Sequence, residues 1–116
     1  MNTIQFFIST IKDMKNIILR KSKKAGKKYS VSIPDFEGKR KTLYFGKNGC
    51  PDFTFHHDEK KKSYYINRHK SKENWELSGI YTAGFWSRWL LFNRISINES
   101  VKDIQQRFGI TITINI

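Results

Sequence analysis

Residues 82–93 read TAGFWSRWLLFN, and their spacing decides how the rest of the chain must fold. In a helix, Phe85, Trp89 and Phe92 fall on one face, because i, i+4 and i+7 stack along a period of 3.6. Trp86 and Leu90 form a second row beside them, which leaves Ser87 and Arg88 for the narrow remaining side. A helix that is apolar around most of its circumference is buried from several directions. This stretch is therefore expected to be the central core helix of a small domain. A buried guanidinium without a partner is costly, so Arg88 should form an ion pair with Glu73 or Glu76, or else hold a phosphate.

Downstream, Ser96-Ile97-Asn98-Glu99 is an S-x-x-E capping box. It opens a helix with Ile97, Val101, Ile104 and Phe108 facing inward and Gly109 just past its end. The chain then runs ITITINI, with Ile110, Ile112, Ile114 and Ile116 on one face. That alternation predicts a half-buried strand over 110–116, able to pair with the rest of the domain or with another molecule.

Upstream, Tyr29, Val31 and Ile33 alternate with serines, Pro34 to Gly38 supplies turn chemistry, and Thr42 to Phe45 is β-prone. Residues 28–46 are expected to form a hairpin. Phe53 to Phe55 reads as a short further strand. From Asp58, acidic residues suited to a first turn open a helix that continues to about Lys70. A polar break leads to Trp75 and Leu77, with Gly79 ending that turn. Ile4, Phe7, Ile8, Ile11, Met14 and Ile18 recur at helical spacing, so residues 3–19 are expected to be an amphipathic helix that packs on the domain or touches a partner or membrane surface. Arg20 to Lys28, RKSKKAGKK, has six cations and no apolar period, and reads as a solvated linker. The division expected is thus helix over 1–19, basic linker over 20–28, and core over 29–116. The fold class is α+β: one small domain, with a β-hairpin and a C-terminal strand packed against three to four helices.

A chain of 116 residues with 38% apolar and 15% aromatic content can bury one core, its rings offsetting few aliphatics. Twenty-two basic against ten acidic residues give a formal charge of +12, which points to a polyanionic partner. The lone Cys50 excludes an internal disulfide framework and argues against a thiolate-rich zinc site. Lys12, Asp13 and Lys15 interrupt the apolar positions of the first nineteen residues, against a secretory signal, and no run reaches the length of a spanning helix.

Catalytic signatures are weak. Pro51-Asp52 followed by Asp58-Glu59-Lys60 echoes a metal-dependent nuclease site, but five intervening residues leave little room for the strands that would converge its carboxylates. The neighbours His56, His57, Asp58 and Glu59 are metal-ligand types whose side chains diverge in either strand or helix, so a site would need His69 as well. No phosphate-binding glycine loop is present. Neither a catalytic residue, a metal site nor a cofactor is expected, and the chain is read as a non-enzyme. Basic and aromatic interleaving is better supported: Lys61, Tyr65, Arg68 and Lys72 align at i, i+4, i+7 and i+11, where they could track phosphates with one stacking ring.

From residue 42 the run TLYFGKNGCPDFTFHHDEKKKSYYINRHKSKENW, followed by GIYTAGFWSRWLLFN, resembles a family of short basic proteins of nucleocytoplasmic large DNA viruses, among them giant and algal viruses. The marks are YFG, D-F-T-x-H, Y-I-x-R-H-K, E-N-W and T-A-G-F-W-S-R-W-L-L-x-N, together with S-x-K-D-I-x-x-R-F-G in the last helix. Phe92 stands where that pattern is expected to carry Trp, and residues 1–19 look like an addition. The resemblance names no active residues; it implies a virus-encoded structural or nucleic-acid-associated role, in the virion or in the viral factory of the host cytoplasm or nucleus.

The leading expectation is a nucleic-acid-binding protein that neutralises phosphates with little base reading. Its contact set would be Lys21, Lys23, Lys24, Lys27 and Lys28, then Lys39, Arg40 and Lys41, then Lys61, Tyr65, Arg68 and Lys72, with Arg88. The alternative is a minor capsid or cement-type virion protein docked on acidic protein surfaces, with the first helix and the 110–116 strand as contact elements.

Overall fold

The structure is a computed structural model that describes residues 16–116. Three strands come first: β1 (Ile17–Lys21), β2 (Lys27–Pro34) and β3 (Arg40–Lys47), each antiparallel to the next. The register sets Val31 between Leu19 and Leu43, and Tyr29 opposite Phe45. Ile17, Leu19, Val31, Ile33 and Phe45 are all buried on this one face. Alternate residues on the other face include Ile18, Ser30, Ser32, Thr42 and Tyr44. A two-residue period with one apolar face is what a half-covered sheet requires.

β1 corrects two expectations. The helix predicted over 3–19 lies outside the described residues except for its last part, and residues 17–19 are strand. The expected basic linker is the end of β1, a tight turn and the start of β2. In that turn Ser22 Oγ accepts from Lys24 N at 2.9 Å, and Ser22 N donates to Lys28 O at 3.0 Å. The helical spacing of Ile11, Met14 and Ile18 masked the alternation of Ile17 and Leu19 with Ile18 and Arg20. A run of lysines at strand ends costs a hairpin little, because their ammonium groups stay in water.

After β3 the chain is helical. Helix α1 (Phe53–His56) replaces the short strand expected there. Asp52 caps it, accepting from Thr54 N at 2.9 Å, so the local cap prevails over the β-propensity of Phe53 to Phe55. Helix α2 (Glu59–His69) is capped in the same way by Asp58, which accepts from Lys60 N and Lys61 N. A 3₁₀ turn (Leu77–Gly79) leads to α3 (Ala83–Trp86), which continues directly as a π turn (Ser87–Leu91) closed by Phe92 N donating to Ser87 O at 3.1 Å. Helix α4 (Ile97–Phe108) has the expected cap, Ser96 Oγ accepting from Glu99 N at 3.1 Å, and ends on Gly109 at φ 67°. β4 (Ile112–Asn115) then returns to the sheet parallel to β1, giving the order β3-β2-β1-β4.

The result is a small α+β domain: a four-stranded sheet with helices over its apolar face and the C-terminal strand in the sheet. Phe85, Trp86, Leu90 and Leu91 are buried at its centre. The Trp86 indole N–H donates to Ile80 O at 2.8 Å and that of Trp89 to Trp75 O at 2.8 Å, which satisfies both groups inside the core. The π turn adjusts the predicted face pattern: Trp89, Leu90 and Leu91 are buried in succession, and Phe92 leaves the helix to meet α2.

Candidate functional site

A cleft of about 690 Å³ lies between the β2–β3 ribbon and helix α2. Lys27, Lys28 and Lys47 stand on the ribbon side, and Lys61, Tyr64 and Arg68 on the helix side. The register that pairs Lys27 with Lys47 places two like charges directly opposite, an arrangement that costs stability unless an anion lies between them. On α2, Lys61, Tyr64 and Arg68 follow one another at i, i+3 and i+7, one face of a helix. Between the walls the lining mixes apolar Phe45, Tyr65, Leu91 and Phe92 with polar Cys50, His56, His69 and Ser87.

Two carboxylates temper the positive lining: both oxygens of Asp52 are engaged, whereas Glu73 Oε2 is buried without a hydrogen-bond partner among the described residues. Asp52, buried, takes Lys28 Nζ at 2.6 Å, while the same ammonium donates to Cys50 O at 2.5 Å. Glu73 pairs with His69 Nδ1 at 3.3 Å. Among the described residues no ion pair holds Lys27, Lys47, Lys61 or Arg68. Burial raises the Tyr29 phenol above its ordinary range, and the Asp52 charge adds to that.

Tyr65 is not the surface ring that its alignment with Lys61 and Arg68 predicts. It is buried, stacked on Phe92 at 3.7 Å between centroids and on His69 at 4.4 Å. Burial, then the Glu73 carboxylate, pushes its phenol far above the usual range. Its neighbour Tyr64 takes the exposed position, with 55% of its surface open.

The remaining predicted contacts divide by place. Lys21, Lys23 and Lys24 are exposed at the β1–β2 turn, where Lys24 Nζ lies 5.4 Å from the Tyr44 ring centre. Lys39, Arg40 and Lys41 sit at the opposite end of the ribbon from the cleft. Arg40 is committed there: Nε donates to Ser32 Oγ at 2.6 Å, and the guanidinium also bonds Ser32 O and Asn16 O. Lys72 lies past the end of α2 and is exposed. Arg88 is outside the cleft lining. Its guanidinium lies 4.3 Å from the Trp89 ring centre, with Arg107 at 4.3 Å from the same ring, and donates to Phe92 O at 2.5 Å. Among the described residues the structure pairs Glu73 with His69 rather than with Arg88. Burial, then the charge of Arg107, lowers the Arg88 pKa.

Lys47 and Tyr64 were missing from the predicted contact set. Lys47 was within reach of it: a turn centred on Asp35 to Lys39 counts out to Lys47 opposite Lys27. Tyr64 was not, because the choice between adjacent tyrosines depends on which one Phe92 covers. The nuclease-like residues are used locally. Asp52 and Asp58 each cap a helix, His56 Nδ1 accepts from Asp58 N at 2.9 Å, and His57 Nε2 lies 3.1 Å from Thr54 O. No cluster of three or more His, Cys, Asp or Glu side chains able to hold a metal occurs among the described residues.

Residues 17–69 match the model of a family of unknown function, DUF5754. The matched span begins with β1 and ends with α2, so it carries both cation-bearing walls of the cleft. Leu91 and Phe92, from the π turn and its end, lie beyond it. Comparisons with curated proteins and with solved structures return no match. Among the described residues no helix is long and apolar enough to cross a membrane.

Proposed function

We propose that this protein binds nucleic acid through its phosphate backbone, without catalysing a reaction on it. The observation that carries this reading is the pair of facing walls, Lys27 and Lys47 against Lys61 and Arg68, all without ion-pair partners among the described residues. Cations held toward one another across a cleft repel until a polyanion enters, and phosphate contacts release counterions as they form. The +12 charge supplies a long-range attraction for the same partner. The resemblance to proteins of large DNA viruses supports a virus-encoded protein acting in the viral factory or carried in the virion.

A second reading, a virion structural protein docked on acidic protein surfaces, is favoured by one observation. β4 lies at the edge of the sheet with Ile114 in it and Ile116 just past it exposed, 38% and 55% open, and an edge strand of this kind can add a partner strand. Titrating a labelled DNA oligomer against salt tests the first reading. A steep fall of log K with log salt is expected; absence of binding at low salt, or a flat slope, overturns it. Recovery of the protein in DNA-free capsid shells at fixed stoichiometry supports the second.

A further inference from the structure

We infer that the cleft holds a single strand, with one unstacked base lying on the ring of Tyr64; this rests on the nucleic-acid reading above and names the form of nucleic acid. Tyr64 is a large ring left 55% open on a helix otherwise short of exposed apolar surface. It lies on the cleft wall with Lys61 one turn before it and Arg68 one turn after it. Those two cations are separated by seven residues, about 10 Å along the helix axis. A strand laid along α2 places phosphates at both and a base between them, over the ring.

The rest of the cleft suits the same ligand. Lys27 and Lys47 face α2 from the ribbon, so a backbone in the cleft meets cations on both sides. Phe45, Leu91 and Phe92 lie in the floor together with Asp52, His69, Glu73 and Ser87, so the sequence tolerance expected here comes from stacking on the open Tyr64 ring rather than from the floor. A volume of about 690 Å³ is in the range of pockets that enclose small organic ligands, roughly 300–1,000 Å³. A duplex fits this geometry poorly. Its bases are stacked on one another and present no free face to Tyr64, so a duplex gains the phosphate contacts alone. Stacking on an aromatic side chain is sequence-tolerant and adds to affinity without releasing counterions.

The test uses the full chain with a labelled oligothymidine and a duplex hairpin of equal phosphate number. Single-strand binding is expected to be tighter. Tyr64→Ala should weaken oligothymidine binding on the order of ten-fold, while leaving its salt slope and the duplex affinity unchanged; Tyr64→Phe, which keeps the ring, should bind like the parent. Unfolding midpoints of both variants equal to the parent's show that the fold is intact. Equal or tighter duplex binding overturns the inference. So does an undiminished oligothymidine affinity in Tyr64→Ala when Lys61→Ala has weakened it. Both outcomes leave the phosphate-binding reading standing, whereas failure of either nucleic acid to bind with a steep salt slope removes that reading itself.

Discussion

The rings of Tyr65 and Phe92 lie face to face, centroids 3.7 Å apart and planes 4° from parallel. This contact joins α2 to the end of the π turn, and it explains why Tyr64 rather than Tyr65 keeps an open ring in the cleft. The two tyrosines should therefore separate cleanly in stability measurements. Tyr65→Ala removes a buried ring and is expected to cost about 3–5 kcal/mol. Tyr65→Phe keeps the stack and loses the hydroxyl's bond with Ser87, at a cost of about 1 kcal/mol. Tyr64→Ala should fall within about 0.5 kcal/mol of the parent. Denaturant unfolding of the three variants checks all of this.

The same burial sets the alkaline limit of the fold. Burial, then the Glu73 charge, raises the Tyr65 phenol far above its ordinary value of 10.0. Burial also raises Tyr29 and Tyr81, aided by Asp52 and Asp35 respectively. Once pH passes 10, the unfolded chain releases these protons while the native chain keeps them. The native state then binds more protons, so stability is complete below pH 10 and declines above it. Thermal midpoints measured on either side of pH 10 should show the decline, and Tyr65→Phe should make it shallower.

Asp103 governs the acid side. It accepts from Asn93 Nδ2 at 2.8 Å, from Arg107 at 3.1 Å and from Arg94 at 3.3 Å, tying α4 to the segment after the π turn. Burial alone would raise its pKa, but the bonds from Arg107, Asn93 and Arg94 outweigh burial and hold it below the ordinary carboxylate range. A carboxyl depressed in the native state adds stability above its unfolded value, and that stability is lost as pH falls through the native value. Asp103→Asn should lower stability near neutral pH by about 1–3 kcal/mol. It should also reduce the steepness of acid unfolding, read by circular dichroism across the carboxylate range.

Gly79 is a steric requirement. A Cβ built there would stand 2.0 Å from the backbone oxygen of Asn74. Asn74 is itself fixed, donating to Ser78 Oγ at 2.8 Å and accepting from Glu76 N at 3.0 Å. Because the clash is with backbone, no rotamer relieves it. Gly79→Ala is expected to cost about 3 kcal/mol, the upper end for overpacking, measured by the shift of the denaturant midpoint.

What could be read ahead of the structure was local chemistry. The Ser96 cap, the Gly109 terminus, the 28–46 hairpin and the Asp58-led helix each depend on residues within a few positions of one another. What escaped depends on distant neighbours. β1 is a strand because β2 and β4 flank it on both sides, whereas its own apolar residues also fit the tail of a helical stripe. The π turn at Ser87–Leu91 follows from burying Trp89, Leu90 and Leu91 in succession under the sheet and α4. Tyr64 and Tyr65 are chemically identical neighbours, and only Phe92, far along the chain, tells them apart. The cleft was half legible: Lys27, Lys28, Lys61 and Arg68 stood out as basic, but their grouping apart from Lys39 and Lys41 is a property of the ribbon's two ends.

That grouping makes the basic residues unequal, and Lys28 is the sharpest case. Its ammonium is held by Asp52 at 2.6 Å and by Cys50 O, so it acts within the fold before it can act on a ligand. Lys28→Ala strands a buried carboxylate and should cost about 1–3 kcal/mol in stability, with little change in the salt slope of nucleic-acid binding. Lys28→Met combined with Asp52→Asn should recover much of that loss, since no unpaired charge is then buried. Lys61 and Arg68 should behave the opposite way. Each is exposed and outside any ion pair among the described residues, so Lys61→Ala or Arg68→Ala should leave unfolding unchanged. Each should lower the slope of log K against log salt by about 1, the value of one lost phosphate contact. Their double variant should lose about 2 by the same count, while the Lys39→Ala, Lys41→Ala pair, at the far end of the ribbon, should lose less. A Lys28→Ala slope reduced as far as that of Lys61→Ala would show that a bound phosphate draws Lys28 away from Asp52.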